Sequence, residues 1–372
     1  MINQHKNEWN YSSPVKQSTG YEDVLDILKS YTKEKYMSCS DVEKEKMIND
    51  IFQIYRSKNI YPINYYNEEG VREEIKKCMN KKVKPIMDNV IQNNSNEGTS
   101  LCKFMNPNFI HVTNGSDKRS FYYKFHTDEI LKRAIRTSIK HKNNVVPYIL
   151  RDTLNIVSGA TFSNFKPMTA KSIYEKYCPE NGLIYDFSCG WGGRMLGALT
   201  SEKNYTYVGV EPNTNTYNNL NKLGDHINSV SKKRFKIYKA CSEDFSLKSN
   251  IFDFAFSSPP YFNLEIYSDE DTQCYNKYSN ISDWMQFYVK PTILNTYKML
   301  KPNSYYAVNI ANFKTGKTSV SFVDEWLNFA SEIGFKYIER VNMKLPLRCG
   351  DGHDKSNNIN QDKKEGVYVF RK

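Results

Sequence analysis

The chain has 372 residues, more than one ordinary domain holds, so two units are expected; its 28 Tyr and 20 Phe offset a modest hydrophobic share of 39% and can bury area or stack. The net charge of +11 suits a polyanionic partner and equally a mildly basic soluble protein, and it is spread evenly: Lys+Arg against Asp+Glu is 25 to 19 over residues 1–165 and 27 to 22 over the rest. There is no apolar run of the ~18 residues a membrane span needs and no signal-peptide pattern in MINQHKNEWNYSSPVKQ; eight cysteines with no CxxC pair and no zinc spacing point to reduced thiols and a cytoplasmic protein.

The first 160 residues carry helical patterns at 21–35, 41–57, 70–90 and 127–142, separated by polar loops such as QNNSNEGTS (92–100). Between Lys118 and Lys142 basic residues (Arg119, Lys124, Lys132, Arg133, Arg136, Lys140) interleave with Tyr122, Tyr123 and Phe125. That pattern fits a phosphate-binding surface, and as well a solvated helix face with aromatic anchors. A boundary is expected near 160, between a mostly helical region (1–160) and a second domain (161–372).

The second domain has a different rhythm. Short β-prone runs occur at 183–188, 205–211, 234–240, 252–258, 304–311, 335–343 and 366–372, with helical patterns at 214–230, 281–300 and 321–334 between most of them. Strands alternating with helices predict an α/β, mainly parallel, doubly wound sheet of seven strands. No helix separates the last two strands, so they are expected to pair as a hairpin with the final strand antiparallel.

Three strand ends carry chemistry in a consistent order. The first strand runs into Asp186-Phe187-Ser188-Cys189-Gly190-Trp191-Gly192-Gly193-Arg194, a glycine-rich turn that lets a ligand approach the backbone before a helix begins. The second ends at Glu211, 25 positions after Asp186, where a carboxylate can accept both hydroxyls of a ribose. Past the third lie Glu243 and Asp244, able to accept from an adenine amino group, and Phe245, able to pack on its ring. A dinucleotide G-x-G-x-x-G would need a third glycine at 195, which is Met, so adenosine without a pyrophosphate is the expected ligand.

The fourth strand ends in Ser258-Pro259-Pro260-Tyr261. Two prolines cannot continue a central strand, and they fix a rigid turn at the carboxyl edge, where ligands bind in such sheets.

Residues 162–372 resemble the amino-methyltransferase family of DNA-modifying enzymes, which produce N4-methylcytosine or N6-methyladenine. The resemblance rests on DFSCGWGG (186–193), similar to the family's cofactor loop, and on SPPY (258–261), similar to its catalytic motif. NFKPMTAKSIY (164–174) is similar to the segment that in one subgroup precedes the loop and helps hold the methionine carboxylate; Gln273, the long helix after it and the closing EGVYVFRK fit as well. Where family members often carry glycines, positions 268–275 read SDEDTQCY.

The resemblance implies a Rossmann-like methyltransferase fold, S-adenosyl-L-methionine as cofactor, no metal, and duplex DNA as partner with the target base flipped out. It implies cofactor contacts from Lys166, Pro167, Asp186, Ser188, Cys189, Gly190, Gly192, Glu211, Glu243, Asp244 and Phe245, and catalysis by Ser258, Pro259, Pro260 and Tyr261. Ser258 Oγ and the Pro259 carbonyl would accept from the amino group of the base while Tyr261 stacks on it. Target contact falls to residues 1–160 and the loop 345–365. Two other readings stand beside this one: the same chemistry on RNA or a protein glutamine, and a non-catalytic nucleic-acid-binding module.

Overall fold

Runs such as LIYD and FDFAFS are buried at nearly every position, on both faces, which suits parallel strands covered by helices on either side. The computed structural model describes residues 21–58, 60–92, 95–114, 119–158, 164–315, 318–343 and 366–372. In it these runs become β2 (Leu183–Asp186), β3 (Thr206–Val210), β4 (Phe235–Tyr238), β5 (Phe252–Ser257), β6 (Leu300–Ile310), β7 (Lys336–Met343) and β8 (Gly366–Arg371). A two-residue strand, β1 (Val90–Ile91), precedes them.

The sheet order is β1-β7-β8-β6-β5-β2-β3-β4. β8 runs antiparallel to both β7 and β6, and the pairs β6–β5, β5–β2, β2–β3 and β3–β4 are parallel. This is the Rossmann-like sheet expected, with its antiparallel final strand; β1, parallel to β7, adds an eighth member at one edge. The order reverses between β2 and β5, so the glycine turn and the Ser258–Tyr261 turn leave neighbouring strands. In open sheets of this kind that reversal is where ligands bind.

One face of the sheet (Tyr185, Phe187, Val208, Val210, Tyr306, Val308) packs under Trp284, Tyr288, Ile293, Phe322, Trp326 and Phe329. These come from the helical run 281–299 and the helix Phe322–Ile333. The run 281–299 contains a π-helical turn at Met285–Val289 just before Pro291, a residue that lacks the N–H to close an ordinary helical bond. On the other face Tyr174, from the helix Pro167–Tyr177, meets Phe254 and Phe256 edge-on.

The chain divides into two compact units, but not by a single cut at 160. The doubly wound unit takes in the described parts of 72–102 as well as of 164–372, and the helical unit comprises the described parts of 1–71 and 103–163. The physical reason lies in a buried cation. Lys171, fully enclosed, donates from Nζ to the carbonyls of Cys78 (3.3 Å) and Met79 (3.3 Å) in the last turn of the helix Glu68–Asn80 and of Lys81 (2.8 Å) just beyond it. Gly98 is wedged under Leu196 and Pro167, where a Cβ would come within 2.5 Å of Leu196 Cδ2. The helical pattern expected over 70–90 therefore ends at Asn80, and the chain goes on to supply β1.

In the helical unit, Asp41–Ser57 starts with a capping box between Ser40 and Glu43 and buries Ile48, Ile51, Phe52 and Tyr55. The helix Asp128–Lys142 buries Leu131, Ala134, Ile135 and Ile139. Among the described residues no helix is long and apolar enough to cross a membrane.

Replacing Lys171 with Met keeps the bulk and removes all three carbonyl bonds. The expected loss is about 2 kcal/mol, seen as a lower urea midpoint with an unchanged slope; a shift below about 0.5 kcal/mol would contradict the bridging role.

Candidate active site

The carboxyl edge is organised around one buried carboxylate. Asp186, the last residue of β2, is wholly enclosed. Its Oδ2 accepts from Arg194 Nε (2.8 Å) and the Tyr207 hydroxyl (2.6 Å), and its Oδ1 from Ser257 Oγ (2.7 Å), the Ser188 amide (3.2 Å) and Arg194 Nη2 (3.3 Å). Arg194 also donates to the Ser188 carbonyl, and its guanidinium lies 5.8 Å from the centre of the Phe165 ring. Burial works against the Arg194 charge, and the Asp186 carboxylate beside it holds the guanidinium's pKa above its ordinary value. With every lone pair engaged, Asp186 shapes the turn and has none left for a ligand. Arg194, Tyr207 and Ser257 were not singled out in the sequence, because nothing local marks them as partners of Asp186.

The glycine turn divides its labour. Gly192 (φ +80°) sits against Leu220 and Leu223, and a Cβ on Gly193 would lie 2.0 Å from the Phe165 carbonyl. Gly190 (φ +54°) is different: among the described residues a Cβ there would meet nothing within 4 Å. Two glycines are thus closely packed, and the third faces no described neighbour. Lys166 caps the helix that begins at Pro167, whose carbonyl abuts Gly197, so 164–167 does lie against the turn. Cys189 is buried with its sulfur against Gly209, a packing role.

Glu211 follows β3, is 8% exposed, and accepts from the Asn213 amide at 3.0 Å. Burial pushes its carboxyl up to about 8, the Asn213 and Gly190 amides pull the other way, and Asp186 and Glu270 add to the rise. Past β4, Glu243 is nearly buried and takes Lys277 Nζ and the Tyr278 hydroxyl on Oε1, both at 2.7 Å; Asp244, 69% exposed, binds the same ammonium at 2.7 Å. Phe245 lies in the core, 6.1 Å from the Tyr185 ring and 4.9 Å from Tyr238, so packing already accounts for its ring.

At the end of β5 two adjacent serines diverge. Ser257 is buried and spent on Asp186; Ser258 is half-buried, and its hydroxyl bonds no other described residue. Pro259 is buried and Pro260 half-buried. Tyr261 packs edge-on against Phe313 (5.3 Å) and Phe322 (5.5 Å), and its hydroxyl accepts from the Ala311 amide at 2.9 Å. Phe262 then has φ +46°, a costly conformation for a bulky residue and one that concentrates at functional turns.

The segment after this turn crosses the strand ends. Tyr267 meets Trp191 of the glycine turn at 6.0 Å, and Glu270 accepts from the amide and hydroxyl of Thr214 at 3.0 Å. Gln273 is buried there and caps the short helix Cys274–Lys277.

No protein-family model matches the chain, and no curated protein matches it. Among solved structures it is similar to the [4+2]-cyclase SpnF, with a TM-score of 0.40 and 11% identity over 55% of this chain and 81% of that one. It is similar also to a TehB-like SAM-dependent methyltransferase from Corynebacterium glutamicum (0.35, 14%, 60% and 96%) and to a SAM-dependent methyltransferase from Methanosarcina mazei (0.37, 14%, 54% and 96%). The fold rests on the strand order above and not on these overlaps.

In the helical unit most cations of the basic, aromatic segment have internal partners. Arg136 pairs with Glu45 (2.8 Å), Lys132 lies over Phe52 (4.8 Å), and Lys124 is buried. Arg119 and Lys140 are exposed. Lys118 and the loop 345–365 lie outside the described residues.

Two outcomes follow from this geometry. Arg194→Ala leaves the Asp186 carboxylate buried without its counter-charge and should cost about 3–5 kcal/mol in urea denaturation; a loss under 1 kcal/mol would show that the pair is not what holds the edge. The unfolded chain releases the Glu211 proton near the ordinary value of 4.5 and the folded chain near 8, so the folded state binds the extra proton between them. Stability of the ligand-free protein should therefore fall as pH rises through that window, and Glu211→Gln should flatten the fall.

Proposed function

We propose that the protein transfers the methyl group of S-adenosyl-L-methionine to an exocyclic amino group of a DNA base, cytosine N4 or adenine N6. The observation that carries this reading is the pair of serines at the end of β5. One is locked to Asp186, and the other carries a hydroxyl that no other described residue engages, on a turn made rigid by two prolines.

The residues present fit the cofactor. Gly190 faces no described neighbour, and Glu211 offers a buried carboxyl whose Oε1 is steadied by the Asn213 amide. When bound, S-adenosyl-L-methionine would supply an electrophilic methyl on sulfur. Glu211 would take the ribose hydroxyls, and Lys166 would lie toward the methionine carboxylate. Between the two acids past β4, Glu243 is the buried one and the better acceptor for an adenine amino group; Asp244 is too exposed.

On the substrate side, an aromatic amine is a weak nucleophile because its lone pair is delocalised into the ring. Ser258 Oγ and the Pro259 carbonyl would accept from its two hydrogens and draw the nitrogen toward tetrahedral geometry, which would free its lone pair to take a methyl group. The amine proton leaves past Ser258 to solvent. Tyr261 gives the base a face, worth about 1–3 kcal/mol. Its hydroxyl accepts from the Ala311 amide, which holds the ring in place. Duplex DNA, held through its phosphates with the base flipped, is the proposed partner. Residues 1–160 and the loop 345–365 remain the proposed target contacts. Ser258 favours DNA over RNA or a protein glutamine, for which Asn or Asp at that position would fit better.

The deciding experiment supplies isotope-labelled S-adenosyl-L-methionine with unmethylated DNA, RNA and protein separately and digests the products for mass spectrometry. N4-methylcytosine or N6-methyladenine in DNA is expected. Label only in RNA or protein would move the activity there, and cofactor binding without turnover would make the protein a binding module. Ser258→Ala should lower turnover about 10²-fold or more with cofactor affinity nearly unchanged; equal loss of both would remove Ser258 from the chemistry. Because the ribose hydroxyls donate to an ionised Glu211, cofactor affinity should fall as pH drops below about 8, approaching tenfold per unit, and Glu211→Gln should bind weakly without that slope. A flat profile in the unaltered protein would contradict the ribose assignment.

A further inference from the structure

We infer that Lys277 and Tyr278 are positioning residues for purine recognition: they fix Glu243 so that its second carboxylate oxygen accepts from the amino group at purine C6 of the cofactor. The inference rests on the S-adenosyl reading above and adds to it two residues from the segment that follows the catalytic turn.

Both bonds to the Glu243 side chain fall on the same oxygen. Lys277 Nζ and the Tyr278 hydroxyl each lie 2.7 Å from Oε1, and Oε2 takes no bond from any described residue. Two donors on one oxygen of a planar group fix its rotation and leave the other oxygen's lone pairs directed elsewhere. The Glu243 side chain is only 5% exposed, so its charge needs a counter-charge close by. Lys277 supplies it and is itself held between Glu243 and Asp244. Asp244, exposed and on the same ammonium, thus has a role distinct from ligand contact: it steadies the lysine.

Tyr278 is placed as firmly. It is 7% exposed, and its hydroxyl also lies 3.2 Å from the Phe287 carbonyl. That carbonyl is four residues before Pro291, which has no N–H to offer it. The shorter contact, to Glu243, is the one that takes the hydroxyl proton. Glu270 on Thr214 anchors the same segment at the neighbouring strand end.

The chemical consequence is selectivity at one atom. An ionised carboxylate only accepts, so it matches an amino group and repels a keto oxygen. Without Lys277 and Tyr278 on Oε1 nothing fixes the rotation of the Glu243 carboxylate, so Oε2 is no longer held toward the amino group and the discrimination at that atom is lost. A site built around such a hydrogen bond rejects the analogue that lacks it.

The test measures binding of S-adenosylhomocysteine and S-inosylhomocysteine, which carries a keto oxygen in place of the amino group, by calorimetry on the full chain. The unaltered protein should favour the adenosyl compound at least tenfold. Tyr278→Phe should reduce that ratio several-fold and Lys277→Met should bring it near one, while Lys277→Arg restores it. A role confined to stability would move the melting temperature and leave the ratio alone, so an unchanged ratio in Tyr278→Phe and Lys277→Met overturns the inference. So does a protein that binds both compounds equally well. If Lys277→Met does not fold, Tyr278→Phe and Lys277→Arg carry the decision. A protein that binds neither compound removes the S-adenosyl reading itself, which separates that failure from this one.

Discussion

An anion enclosed in a protein interior is costly unless its lone pairs are answered, and those of Asp186 are answered by groups from the turn, from the helix after it and from the two strands flanking β2. Arg194 comes from the helix after the glycine turn, Tyr207 from β3, Ser257 from β5, and the Ser188 amide from the turn itself. Each of these groups fixes the backbone that carries it. The glycine turn and both strands flanking β2 are therefore referred to one carboxylate. The turn that would receive a cofactor and the turn that would activate an amine share it through a single serine. Moving either turn would break a bond to a charge that has no water to replace it.

Around that hub the chain uses close backbone approach where a side chain would not fit. Gly193 admits the Phe165 carbonyl and Gly197 the Pro167 carbonyl, so 164–167 lies flush against the cofactor-side turn. Lys171, on the same helix as Pro167, reaches the other way and ties in the end of the helix Glu68–Asn80. The same short stretch thus binds residues 72–102 into the doubly wound unit and lines the candidate cofactor site. The segment 265–278 covers the neighbouring ends and brings its own charges to them. In place of the glycines common in the resembling family, it has Glu270 on Thr214; just beyond, Lys277 lies on Glu243 and Asp244. It is a segment held at several points, and its composition follows from those anchors.

The abundance of aromatic residues finds its main explanation in the core. Tyr185, Tyr207, Tyr306, Phe254, Phe256 and Trp326 are essentially inaccessible, and rings meet edge-on or stacked across both faces of the sheet. A chain poor in aliphatic residues fills its interior with rings, and their hydroxyls then seek buried partners. Tyr207 finds Asp186, and Tyr306 receives the Trp326 indole N–H at 3.0 Å. Aromatic content by itself was therefore no guide to base stacking, and Phe245, expected at a ligand ring, belongs to this packing.

The sequence by itself determined the alternation of strands and helices, the antiparallel closing hairpin, the glycine turn, Glu211 at a strand end, and a strand that stops at two prolines. Periodicity and the backbone limits of Gly and Pro act over a few residues, so they are legible in a short window. Only the tertiary structure decided which groups answer Asp186, which of Glu243 and Asp244 is buried, which serine of the pair is spent, and that residues 72–102 join the second unit. Those outcomes depend on side chains far apart in the sequence, such as Ser257 and Asp186 at a separation of 71. No local pattern encodes such a pairing, because the groups meet only when parallel strands bring their carboxyl ends together.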